Sequence, residues 1–145
     1  MFGAAAAGQV AAQKPRASVP GSEVNGTFRM NYTGKYRGNY NEIKVLALGR
    51  GRLRLSMDLT YPYTMSNGEL MANVGQLDGE ASIAGDTAVY TSEDNTCKIT
   101  IRFVRPGTIN VKQDGSDADC GFGHNVFAGG TYRKVSSARP RSDRD

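Results

Sequence analysis

Few side chains in this 145-residue chain have types and spacing that could do chemistry. Cys120 and His124 stand four residues apart in the run DADCGFGHN. A thiol beside an imidazole is the pairing of a nucleophile with its base. Such a pair needs an exposed thiol of lowered pKa and a third residue to orient the ring. No orienting residue is evident, and the plainer assignment is a disulfide cysteine next to a loop histidine. His124 is the single histidine, which excludes His-rich metal sites and most histidine-based catalysis. The other cysteine is Cys97, and neither lies in a CxxC pattern, so a zinc ribbon or thioredoxin-type site has no support. An even count in a small β domain implies one disulfide, Cys97–Cys120, if the compartment is oxidising. Closing that loop would stabilise by about 3 kcal/mol in the chain-entropy model. In a reducing compartment the same residues are a buried thiol and a loop thiol.

Three further groups suggest binding. Asp114, Asp117 and Asp119 lie in DGSDADCG, and hard oxygen ligands on a glycine-containing loop can hold calcium. The spacing does not fit an EF-hand, and Asp and Gly also serve to turn a solvated loop. Arg50, Arg52 and Arg54 form a stripe that could contact phosphate, carboxylate or sulfate; on a sheet, the same stripe is a solvent face that discourages edge association. Tyr36, Tyr40, Tyr61 and Tyr63 fall in two turn-like segments, GKYRGNY and TYPYTM. Brought to one end of a barrel, with Phe122 plugging that end, they would form an amphipathic rim for a ligand or a protein.

The elements that must position these residues read as short strands. The chain has the length of one domain and can bury a core unaided. Glycine is high at 18 residues, proline low at 5, and tryptophan absent. The clearest strand spans 51–60, where Leu53, Leu55, Met57 and Leu59 alternate with Arg52, Arg54, Ser56 and Asp58. Further runs cover 24–33, 42–48, 69–83 with a bend at Gly75 or Gly79, 86–91, 96–104, 108–112 and 130–135. No stretch reads as a convincing amphipathic helix. Eight hairpin-linked strands fit an all-β, antiparallel up-and-down barrel of lipocalin-like type, with a β-sandwich as the alternative. Gly26-Thr27-Phe28-Arg29 and Gly130-Thr131-Tyr132-Arg133 echo one another at the two ends of the domain. A closed barrel would pair them, with aromatics covering glycines.

The barrel domain is expected over 23–136. Residues 1–13, MFGAAAAGQVAAQ, resemble the end of a secretory signal peptide with an Ala-x-Ala-like cleavage zone, or an Ala-rich leader of a cytosolic protein. Residues 14–22 read as a flexible linker and 137–145 as a disordered basic tail. No run of apolar residues is long enough for a membrane-spanning helix. The net charge of +4 permits anionic partners, but part of it sits near the C-terminus. No RNA-module motif accompanies it, so specific nucleic-acid binding is not expected.

The most distinctive stretch is 117–135, DADCGFGHNVFAGGTYRKV. With Gly51-Arg52-Leu53, Ala88-Val89-Tyr90 and Cys97 upstream, it resembles a family of small exported bacterial β-barrel proteins of calycin or lysozyme-inhibitor type. The resemblance covers about residues 24–135 and implies a barrel, export to the periplasm or beyond, and no catalytic residues. Phe28 replaces the tryptophan with which lipocalins usually open, and Ser66-Asn67-Gly68 is a poor match to the inhibitory Ser-Gly motif of membrane-bound lysozyme inhibitors. The expectation is a non-enzymatic barrel without cofactor or metal that binds a small apolar or amphipathic ligand. The alternative is a protein-interaction barrel, such as an inhibitor of a cell-wall-degrading enzyme. Oligomeric state is not readable from the chain.

Overall fold

A computed structural model describes residues 14–141. Alternation of apolar and polar residues produces eight strands: β1 (Gly26–Asn31), β2 (Tyr40–Gly49), β3 (Arg52–Thr64), β4 (Leu70–Ala84), β5 (Thr87–Thr91), β6 (Lys98–Arg105), β7 (Thr108–Asp114) and β8 (Gly130–Ser136). Each pairs antiparallel with the next, and β8 returns to β1, so the sheet closes as an up-and-down barrel. The sandwich alternative falls away, because one continuous sheet runs through all eight strands.

Period two directs the core. Leu53, Leu55, Met57 and Leu59 of β3 point inward, as do Ile99, Ile101 and Phe103 of β6, all essentially inaccessible to water. Phe28 and Phe103 meet edge to face, with centroids 6.4 Å apart. Tyr132 is fully buried, and its hydroxyl donates to the Ala128 carbonyl at 2.7 Å. Burial pushes its pKa well up. The interior is filled by such side chains.

The two echoing segments do meet at the closing seam, where Phe28 pairs with Lys134 and Arg29 with Arg133. The expected aromatic cover over the glycines is absent there: Gly130 lies under the Met30 thioether, and Gly26 under the Lys134 stem. Aromatic cover occurs instead on β4. The Tyr90 ring fills the space beside Gly79, and Phe122 fills the space beside Gly75. The long strand is thus continuous, and its glycines are positions of close approach.

Residues 14–22, expected to be a flexible linker, are anchored. The Arg16 backbone N–H donates to Asp86 Oδ2 at 3.0 Å, and its guanidinium bonds both carboxylate oxygens of Glu23. A four-residue helical turn, Gly21–Val24, then places Val24 in the core. An isolated turn of this length is marginal and carries no periodic signal, which is why sequence reading misses it. The expectations for 1–13 and for the last residues of the tail lie outside the described residues.

In an up-and-down barrel alternate connections share an end. One end, here called the mouth, carries the loops 32–39, 65–69, 92–97 and 115–129. β3 and β4 pair without a break from Arg52–Ser82 to Thr64–Leu70. β2 accompanies β3 only as far as Asp58, and β5 accompanies β4 only over Ser82–Ala84. The β3–β4 hairpin therefore projects as an arm beyond the mouth. The turn-like expectation for Tyr61-Pro62-Tyr63 is corrected here: these residues are strand. Pro62 is tolerated because it lies where β3 no longer has β2 beside it. The neighbouring edge groups are met by side chains, since Thr60 N–H donates to Asn41 Oδ1 at 2.8 Å and Thr60 C=O accepts the Tyr32 hydroxyl at 2.7 Å.

Candidate functional site

The arm and the 115–129 loop flank a shallow cavity of about 360 Å³, open to solvent and lined by Tyr61, Tyr63, Asn73, His124 and Asn125. Period two puts Tyr61 and Tyr63 on the same face as Leu53 to Leu59, now past the end of the packed core. Their rings run nearly parallel, 25° apart, with centroids 6.4 Å apart. Asn73 is the cross-strand partner of Tyr61. Its Nδ2 donates to the His124 carbonyl at 2.9 Å, which fixes the amide and leaves Oδ1 available as an acceptor.

The loop that supplies His124 and Asn125 is tied down at several points. Cys120 is bonded to Cys97, whose side chain is fully buried beside β6. Phe122 is buried against Gly75, and Gly123 N–H donates to Val74 C=O at 3.0 Å. Asp117 braces the turn, its carboxylate accepting the backbone N–H groups of Asn125 and Ala118. Those two bonds hold its pKa below the usual carboxylate range, with the nearby His124 adding to the effect. Asn125 adopts φ 65°, a left-handed conformation that asparagine tolerates better than most residues. Val126 and Ala128 return the chain into the core.

The structure separates the four tyrosines of the sequence reading. All lie at the mouth, but only Tyr61 and Tyr63 line the cavity. Tyr36 reaches the outer side of the arm, its hydroxyl 3.1 Å from Thr64 Oγ1. Tyr40 lies under the Arg29 guanidinium, 4.0 Å from ring centroid to cation. Phe122 is buried below the cavity.

The arginines are also divided. Arg50 sits in the β2–β3 turn, while Arg52 and Arg54 reach Glu80 of β4, at 3.1 and 3.7 Å. A second cavity of about 210 Å³ lies on the outer wall, where Arg54, Lys44 and Arg141 are joined by Asp78. It is a mixed-charge groove. Asp117 and Asp119 bond the loop backbone, Asp119 Oδ2 accepting Ser116 N–H at 2.9 Å, while Asp114 ends β7 opposite Lys98. Among the described residues, no group of three or more His, Cys, Asp or Glu side chains is placed to hold a metal ion.

The sequence gives Asn73 no distinguishing signal, places Asn125 only where an EF-hand counted from Asp114 would need a glutamate, and offers His124 only as a possible base. Continuing the period-two pattern of β3 past Thr60 would have carried Tyr61 and Tyr63 onto the inner face. Nothing local marks Asn125, which the loop's fold delivers.

Compared with protein-family models, curated proteins and solved structures, the chain matches none. Fold and site together define a class: a small closed antiparallel barrel with a packed interior and an aromatic-lined cavity at its mouth.

Proposed function

We propose that this chain is an exported, non-enzymatic binding barrel that holds a small amphipathic ligand at its mouth. The observation that carries the reading is the cavity between the Tyr61–Tyr63 pair and the His124–Asn125 loop. Its volume falls in the range of small-molecule sites. Its walls are pre-ordered, one by an unbroken hairpin and the other by the Cys97–Cys120 disulfide. The packed interior moves the binding place from inside the barrel to its rim. The outer wall supports a barrel bathed in water, since Lys44, Arg52, Arg54, Asp58, Asp78 and Glu80 project from it. Export rests on the disulfide and on the resemblance of the 117–135 segment to small exported barrels.

Amide NMR of the full chain, titrated with indole and with octan-1-ol, tests the reading. Shifts centred on Tyr61, Tyr63, Asn73, His124 and Asn125 are expected. Saturating both probes with no shift at these positions would refute it.

The arm favours a second reading, the protein-interaction barrel. Apart from Glu69, residues 59–75 carry no charge, and Met65, Leu70, Met71 and Val74 are exposed. A filled core with an apolar projection suits insertion into a partner, such as a cell-wall-degrading enzyme. Failure to inhibit a panel of lysozymes would remove that version.

A further inference from the structure

From the chemistry of the mouth cavity we infer that its ligand is a neutral saccharide. This inference rests on the mouth being the binding site, and deepens it. Two kinds of group line the cavity. Tyr61 and Tyr63 offer parallel, partly exposed rings. An aromatic face of this kind packs against the C–H face of a pyranose, which is apolar although the ring's edge is not. Every other lining residue ends in a planar polar group: the amides of Asn73 and Asn125 and the imidazole of His124. These groups both donate and accept, as hydroxyls do. The two tyrosine hydroxyls add two more such groups.

Among the described residues, no arginine, lysine, aspartate or glutamate lines the cavity. A site for a phosphate, sulfate or carboxylate is normally built with a cation, often Arg in bidentate geometry. The outer-wall groove with Lys44, Arg54 and Arg141 shows that this chain has such cations and places them elsewhere. A purely apolar ligand fits less well, because binding it would strip water from the Asn73 Oδ1 and the Asn125 amide without replacing their hydrogen bonds. A polyhydroxylated ring with one apolar face satisfies both halves of the lining. The cavity is open to solvent, so either a free short sugar or one stretch of a longer glycan could occupy it.

The test is an amide NMR titration of the full, oxidised chain with maltohexaose, cellohexaose and chitohexaose, and with the corresponding disaccharides. At least one hexasaccharide should shift Tyr61, Tyr63, Asn73, His124 and Asn125. Affinity that grows from di- to hexasaccharide assigns the site to a glycan chain; equal affinity assigns it to a short free sugar. Tyr61→Leu and Asn125→Gly should each weaken binding by about thirtyfold, the size at which a loss marks a hot spot. Glycine at 125 keeps the left-handed backbone without strain. Unchanged spectra away from the mouth would show that both variants fold. If indole or octan-1-ol shifts the mouth and no saccharide does at 10 mM, the saccharide assignment is overturned and the mouth remains the binding site. If no probe shifts the mouth, both fail. Saccharide binding undiminished in both variants would place the sugar elsewhere and overturn the inference.

Discussion

Gly75→Ala is the smallest change that tests how the mouth is built. Gly75 is an inward position of β4, opposite Leu59. A Cβ there would lie 2.8 Å from Phe122 Cδ1 and 2.9 Å from its Cβ and Cγ. Carbon atoms pack at about 3.5–4.0 Å, so the shortfall is about 0.6 Å or more at three atoms. Rotating the ring relieves Cδ1 alone. Moving the Cβ and Cγ of Phe122 requires its backbone to shift, yet that backbone is held by the neighbouring disulfide and by the Gly123–Val74 hydrogen bond. Overpacking of this kind costs about 1–3 kcal/mol. The gain from replacing glycine within a strand offsets about a third of it, leaving a net loss of roughly 1–2 kcal/mol.

The control is Gly79→Ala. Its Cβ would lie 2.6 Å from Tyr90 Cε1, but the other close atoms are also ring atoms, at 3.2 and 3.7 Å. Tyr90 is only partly buried where it packs against the core, and every close atom belongs to its ring, so a side-chain rotation relieves the contact. A net change within about 0.5 kcal/mol follows. Phe122→Ala removes a buried aromatic and should cost about 3–4 kcal/mol. In the double variant Gly75→Ala/Phe122→Ala the new methyl enters the space the ring has left. The combined loss should then fall short of the sum by about 1–2 kcal/mol. Equilibrium urea unfolding under non-reducing conditions, followed by far-UV circular dichroism, measures all four. A Gly75→Ala midpoint equal to that of the unsubstituted chain, or strict additivity in the double variant, would refute the proposed packing of loop on strand.

Three other outcomes follow from the same geometry. Reducing the Cys97–Cys120 bond, which spans 23 residues, should lower stability by about 3 kcal/mol on the chain-entropy model, read as a fall in urea midpoint with reductant. Asn41→Leu leaves the Thr60 N–H without its acceptor and the Phe127 carbonyl without the Asn41 amide, and should cost about 1–3 kcal/mol, together with amide shifts at the base of the arm and around Phe127. Asp86 is held below the usual carboxylate range, chiefly by the Arg16 N–H, with Thr87 and Arg102 contributing. Its contribution is therefore complete above the ordinary carboxylate pKa and is lost as pH falls through the lowered one. Asp86→Asn should flatten the decline of the urea midpoint between about pH 5 and pH 2.

The barrel was legible because burial on one face writes itself into the sequence with period two. The β3 and β6 patterns, the two echoing segments and the turn glycines all point the same way. What was not legible depends on where elements stop. Tyr61-Pro62-Tyr63 reads as a turn because proline usually ends a strand; the structure has it as strand because β2 has already left that edge. The anchoring of 14–22 rests on Arg16 meeting Asp86, a residue 70 positions away, which no local pattern encodes. The cavity was only half visible for the same reason: Tyr61 and Tyr63 could be named, but Asn73 and Asn125 acquire a role only once the 115–129 loop lies beside β4.

That loop lies there because the barrel closes unevenly. β4 is bonded to β3 along its whole length, but to β5 at only one end. Further toward the mouth, the flank of β4 is closed by side chains and loop, not by another strand. Tyr90 lies over Gly79, Phe122 over Gly75, and Gly123 bonds Val74 edge-on. Each replaces part of a missing strand, and each is placed by a different constraint: the register of β5, the disulfide, and the backbone of the loop. Beyond Val74 the substitution stops, and the last inward residues of the arm have no core beneath them. Tyr61 is exposed there, and Tyr63 and Asn73 partly so, for a topological reason. A continuous β5 would have carried the sheet on and left no room for the loop; a shorter β4 would have left the loop nothing to face. The cavity is thus a consequence of the mismatch in length between β4 and β5. Shortening the arm below Asn73 should abolish it while leaving the barrel intact.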